Sequence, residues 1–228
     1  MHAPSPLFDV EQFRGEARRT AVVRAVRATS LVLGSTQRPE VVTDAAMRAR
    51  GVTLARRRGG GGAVYVEKGD PLWLDAWIPR DDPLWRRDVA VAAEWVGHWW
   101  RAVLGTRGIG DLEIHAGRAA PGEWGDLVCF AGRGPGEVFA GGRKVVGLSQ
   151  WRAREGALFS SCAYAHWDPR PLVDLLDLPT ATDAVSALAP VAVGLRDLQP
   201  ALGDLTPIGE ALLASFPGYG TASPPPGT

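Results

Sequence analysis

The chain has 228 residues, 46% of them hydrophobic and 22% charged, and its 25 basic and 25 acidic side chains cancel to a formal net charge of zero. That is the composition of a soluble globular protein, and it excludes a whole-molecule field that would draw the chain onto nucleic acid or an anionic membrane. The length fits one domain, expected over residues 1–216, with enough apolar material to bury a core without disulfides or a structural metal.

Only Lys68 and Lys144 are lysines; every other basic side chain is arginine. Cys129 and Cys162 are far apart, and His2, His98, His115 and His166 are scattered, so neither a disulfide framework nor a zinc site is expected. No Asp/Glu cluster marks a metal site. Residues 1–19 lack the apolar run of a signal peptide, no stretch approaches ~18 uninterrupted apolar residues, and the expected address is the cytoplasm.

In chain order, the β-branched segment from Val22 to Leu33 reads as one or two strands closing on Gly34-Ser35. Pro39 to Arg50 reads as a short helix. Val52 to Arg58 is a strand broken by Gly59-Gly60-Gly61-Gly62, and Ala63 to Val66 resumes the strand pattern. Leu72 to Ile78 is an apolar strand between two prolines. From Pro83 to Leu104, Trp85, Val89, Ala92, Trp95, Val96, Trp99, Trp100 and Val103 recur at three- and four-residue steps, predicting a long helix whose tryptophans form core.

Strands are predicted at Leu112–His115, Leu127–Phe130, Val138–Ala140, Lys144–Ser149 and Leu158–Tyr164. Helices are predicted at Arg170–Leu176, Asp183–Leu188 and Pro207–Phe216, followed by a disordered Pro/Gly-rich tail over 217–228. Strand groups interrupted by one long helix and closed by helices indicate α+β, not an alternating doubly wound sheet. Arg86-Arg87 and Arg56 to Arg58 are the compact basic spots, and neither is interleaved with exposed-looking aromatics, so no nucleic-acid partner is expected.

Arg56-Arg57-Arg58 precede a loop stripped of side chains. Glycine permits unusual backbone angles and frees N–H groups to point at an anion, while arginine recognises phosphate or carboxylate. It is neither a Walker loop nor a dinucleotide fingerprint, and a glycine run alone equally makes a flexible turn with solvated arginines. Downstream, Gly141-Gly142-Arg143-Lys144-Val145-Val146-Gly147 places Lys144 and Arg143 on opposite faces of a regular strand, so Lys144 can lean inward while Arg143 faces solvent. An inward lysine can bridge a carbonyl and a phosphate, as acyl transfer requires; an isolated strand-entry lysine ordinarily sits in water.

Taken together, these segments resemble the lipoate-protein ligase and octanoyltransferase family, whose catalytic fold is shared with biotin-protein ligases. The run Arg56 to Tyr65 resembles its Arg-Arg-x-x-Gly-Gly-Gly-Ala-Val-aromatic signature. Gly142-Arg143-Lys144-Val145-Val146-Gly147 resembles its lysine signature, and Gly34-Ser35-Thr36-Gln37 its early Gly-x-x-Gln turn. The resemblance implies a mixed, largely antiparallel sheet with flanking helices. It implies a ligase that activates lipoate or octanoate with ATP and Mg2+ as an acyl-adenylate and passes it to a lysine of a lipoyl carrier domain, either a 2-oxoacid dehydrogenase E2 or a glycine cleavage H protein. Arg57, Gly60, Gly61, Gly62, Ala63, Val64 and Tyr65 would hold the adenylate, with Gly147 beside Lys144, and Lys144 would contact the activated carboxyl and phosphate.

The family's octanoyltransferase branch offers an alternative. There a cysteine followed by phenylalanine, upstream of the lysine, carries the acyl group as a thioester delivered by an acyl carrier protein; Cys129-Phe130 matches that arrangement. Free cysteines are more often buried in cores, as expected for Cys162. Val66 and Ser161 depart from the family's usual residues, which admits a third reading, a non-catalytic homologue that binds a lipoylated partner or free acid.

Overall fold

The computed structural model describes residues 10–178 and 181–217, with the side chains of 181 and 182 also left undescribed. The expected tail beyond Pro217 lies outside the described residues.

Strands β1 (Thr20–Arg24), β5 (Leu72–Pro79), β9 (Gly156–Ala163), β8 (Arg143–Arg152), β7 (Val138–Ala140) and β6 (Leu112–Ile114) form a six-stranded antiparallel sheet in that order. A smaller sheet has the order β3 (Thr53–Arg56), β2 (Ser30–Leu33), β4 (Val64–Val66), in which β2 runs parallel to β3 and antiparallel to β4. Helix α2 (Val89–Gly105) contributes the largest helical face, with α6 (Thr206–Ala214) beside it.

The two-residue period of the strands sorts their side chains into layers. In β5, Leu72, Leu74, Ala76 and Ile78 face the core shared with α2 and α6, while Trp73 faces the small sheet. In β2, Val32 faces the large sheet, and Leu31 and Leu33 pack on helices α1 (Asp44–Ala49), α3 (Arg170–Leu175) and α4 (Ala181–Leu188). Each sheet is therefore covered on both faces, so β5 is buried along its whole length and, Asp75 apart, apolar on both faces and not alternating.

The structure departs from the sequence expectations at several elements. The long helix starts at Val89, not Pro83, because the Asp88 side chain accepts from the Ala90 and Val91 N–H groups and caps it there. Residues 82–85 form a turn in which Leu84 N donates to the Asp82 carboxylate. Leu127 to Phe130 is not a strand: only Val128 bridges to Ala63, and Cys129–Ala131 then close into a 3-10 turn. A short helix, α5 (Leu195–Leu198), went unpredicted; at four residues it carries no periodicity. Among the described residues no helix is long and apolar enough to cross a membrane.

Candidate active site

The glycine loop and the Lys144 segment meet in one open cavity of about 420 Å3. It is lined by Gly60, Gly61 and Gly62, by Cys129, Glu137 and Lys144, by Arg133, and by Val89, Ala93 and Leu148.

Arg57 follows β3 and turns inward, only 4% exposed. Its Nη2 donates to the carbonyls of Gly60 at 2.7 Å and Gly62 at 2.8 Å, and its Nη1 to Val32 O at 3.4 Å. Arg56 donates to the carbonyls of Gly34, Ser35 and Gln37, and Arg58 to Glu11 beside the Trp151 ring. All three guanidinium groups thus have partners within the protein. A buried guanidinium needs acceptors for its donors, and the loop's own carbonyls supply them, so Arg57 shapes the loop from within.

The loop is fixed to the cysteine segment. Ala63 N donates to Leu127 O at 2.7 Å and Cys129 N donates to Ala63 O at 3.0 Å. A Cβ at Gly62 would lie 2.6 Å from Val128 N and 2.7 Å from Cys129 N, so only glycine permits this approach. Gly61 has φ +92°, a left-handed angle that also favours glycine, and the site of its missing Cβ is 3.8 Å from the Cys129 Sγ. Cys129 is half-buried at the start of the 3-10 turn.

Lys144 enters from β8 and is 1% exposed, while its neighbour Arg143 is exposed, as the strand period requires. The ammonium lies 2.7 Å from Glu137 Oε2 and donates to the Cys129 carbonyl, also at 2.7 Å. The rings of Phe130 and Phe139 flank it at 5.7 and 5.9 Å. Glu137 additionally accepts from Gly134 N at 2.6 Å and Leu148 N at 3.2 Å. Burial pushes the Glu137 carboxyl up, and the Lys144 ammonium and the two N–H groups oppose that shift. Removing one partner from such a buried pair strands the other charge, at a cost of about 3–5 kcal/mol.

Of the residues singled out by sequence, Gly60, Gly61, Gly62, Cys129 and Lys144 come together on the cavity wall. Ala63, Val64 and Tyr65 lie behind it: Ala63 is tied to residues 127–129, and the other two pair with β2. At Gly147 a Cβ would meet the Phe130 ring at 2.9 Å, so that glycine makes room for the ring under the cysteine turn. Cys162 is core, and burial pushes its thiol well above the usual cysteine range. Sequence reasoning gave no role to Glu137 or Arg133. Arg133 donates to Gly142 O at 3.2 Å and stacks on Phe139 at 4.3 Å; its only signal was its place in a Gly/Pro-rich run between Cys129 and Lys144. Among the described residues no group of three His, Cys, Asp or Glu could hold a metal ion.

The fold is that of lipoate attachment enzymes. A bipartite lipoate protein ligase and its E2 lipoyl domain from Thermoplasma acidophilum is the subject of one similar structure, at TM-score 0.68 and 20% identity over 88% of this chain and 71% of that one. A lipoate-protein ligase A bound with ATP superposes at TM-score 0.65 and 21% identity, covering 88% and 72% of the two chains. A putative lipoate protein ligase from T. acidophilum with bound lipoic acid does so at TM-score 0.66 and 21% identity, covering 90% and 75%. No curated protein matches by sequence. The model of the Lipoyl protein ligase A/B catalytic domain family matches residues 10–214, and the chain belongs to that family.

Proposed function

We propose that this protein acylates a lysine of a lipoyl carrier domain with a lipoyl or octanoyl group, and that the acyl group passes through a thioester on Cys129. One observation carries this reading: the Lys144 ammonium is bound to the carbonyl of Cys129 itself, and both residues line the cavity with the glycine loop. In the first half-reaction the Cys129 thiol gives up its proton and its sulfur attacks the carbonyl of an acyl thioester, such as an acyl carrier protein presents; the bond from the acyl carbon to the donor sulfur breaks, and the donor leaves as a thiolate that takes up a proton. In the second, the acceptor amine attacks the Cys129 thioester; an amide forms, the Cys–S bond to the acyl carbon breaks, and the amine's proton passes to the departing sulfur. Lys144 offers a charged N–H donor to oxygen as it gains charge. Val89, Ala93 and Leu148 give the acyl chain an apolar wall.

A second reading, ATP-dependent ligation of the free acid, is favoured by Gly60–Gly62 and Arg133, which line the same cavity and would take one phosphate beside Lys144. The ATP-bound and lipoate-bound relatives support it by likeness of fold. The test is transfer to an apo lipoyl domain from an octanoyl thioester without ATP, set beside transfer from free lipoate or octanoate with ATP and Mg2+. Cys129→Ser abolishes the thioester route and spares the ligase route.

A further inference from the structure

We infer that Glu137 is a positioning residue that sets Lys144 as a single N–H donor into the cavity; this rests on the acyl-transfer reading above. An ammonium has three donors and no acceptor. Two are taken, one by Glu137 Oε2 at 2.7 Å and one by the Cys129 carbonyl at 2.7 Å. Among the described residues the Lys144 ammonium has no further hydrogen-bond partner, and Lys144 lines the cavity, so the third donor is left for a bound carbonyl oxygen.

Glu137 is held as rigidly as the lysine it holds. It is 2% exposed, and Gly134 N and Leu148 N fix its two oxygens. Helix α2 braces this segment from behind: a Cβ at Gly136 would lie 2.1 Å from Ala93 O, and one at Gly97 would lie 2.4 Å from Gly136 O. Gly136 itself has φ +76°. The carboxylate therefore stands on a backbone that cannot drift without moving the helix, which is how a flexible lysine stem becomes a directed donor.

The chain's two lysines make the test direct. With 15N-labelled lysine, Lys68 is exposed and Lys144 buried, so wild type should give a slowly exchanging ammonium signal from Lys144 and a fast one from Lys68. Glu137→Gln should lose the slow signal and, with an octanoyl thioester donor, lower kcat by about 100-fold, the loss typical of a group displaced by about 1 Å. The donor's KM should stay within about threefold, because the donor acts in the transition state. Glu137→Asp, which keeps the charge but withdraws it by one methylene, should fall between.

A wild-type Lys144 ammonium that exchanges as fast as that of Lys68 overturns the placement without any variant, even if the variants fail to fold. A slow signal that survives in Glu137→Gln, or a variant loss seen only in KM, overturns the role of Glu137 while leaving acyl transfer intact. Wild type that keeps the slow signal but transfers no acyl group overturns the acyl-transfer reading, and the catalytic part of Glu137 with it.

Discussion

The Lys144 ammonium donates to the backbone carbonyl of Cys129, at 2.7 Å, across 15 residues of chain. The strand that carries the cation thus holds the turn that carries the thiol. Phe130, the residue after the cysteine, packs into the space left by the absent side chain of Gly147, so the turn is fixed from both sides.

Cys129→Ser should fold normally, since the thiol is only half-buried and serine is nearly isosteric. Its transfer from an octanoyl thioester should fall by at least ~10^3-fold, the scale on which removing a nucleophile acts. Steady-state transfer assays on variant and wild type check this, with the acyl-enzyme of wild type observed by intact mass.

Gly60→Ala and Gly62→Ala should differ sharply although the glycines are two apart. A Cβ at Gly60 meets nothing within 4 Å, whereas one at Gly62 lies 2.6 Å from Val128 N. Gly62→Ala should lose about 1–3 kcal/mol of stability through overpacking and displace Cys129. Gly60→Ala should leave stability close to wild type. Urea unfolding and transfer rates of the pair measure both effects.

Trp100 is fully buried, and its indole N–H donates to Ser161 Oγ at 2.9 Å. Trp100→Ala should cost about 3–5 kcal/mol, the range for truncating a core aromatic. At this chain length that lowers Tm by roughly 6–20 °C, read by calorimetry.

Tyr164 is buried, and its hydroxyl donates to Tyr65 O at 2.6 Å; burial pushes it well above the usual tyrosine range. Above the unfolded value near 10.0 the native state keeps a proton that the unfolded chain loses, so stability falls as pH rises. Tyr164→Phe should flatten this decline by up to about 1.4 kcal/mol per pH unit, while losing about 1 kcal/mol for the hydrogen bond at neutral pH. Unfolding free energies between pH 9 and 11, roughly the window of tyrosine ionisation, test the difference.

The sequence made legible whatever depends on period and local chemistry: the apolar run of β5, the stripe of α2, and the opposite faces of Arg143 and Lys144. It overextended α2 because Trp85 continues the helical spacing from a turn, and only the cap at Asp88 marks the true start. Leu127 to Phe130 has the composition of a strand, but its backbone pairs with Ala63 at one point alone. The family resemblance implies Arg57 on the adenylate; in the structure its guanidinium donates to the carbonyls of Gly60 and Gly62, in a loop whose shape no residue pattern records. Glu137 and Lys144 are seven residues apart across a hairpin, a pairing that register decides and composition does not.

The most direct test is the intact mass of an apo lipoyl domain and of this enzyme after incubation with octanoyl-acyl carrier protein and no ATP. Gain of one octanoyl group on the domain, with the same group on wild-type enzyme and on neither partner when Cys129→Ser replaces it, is the expected result. Acylation of the domain only from free acid with ATP, undiminished in Cys129→Ser, would contradict the thioester route and establish the chain as a ligase.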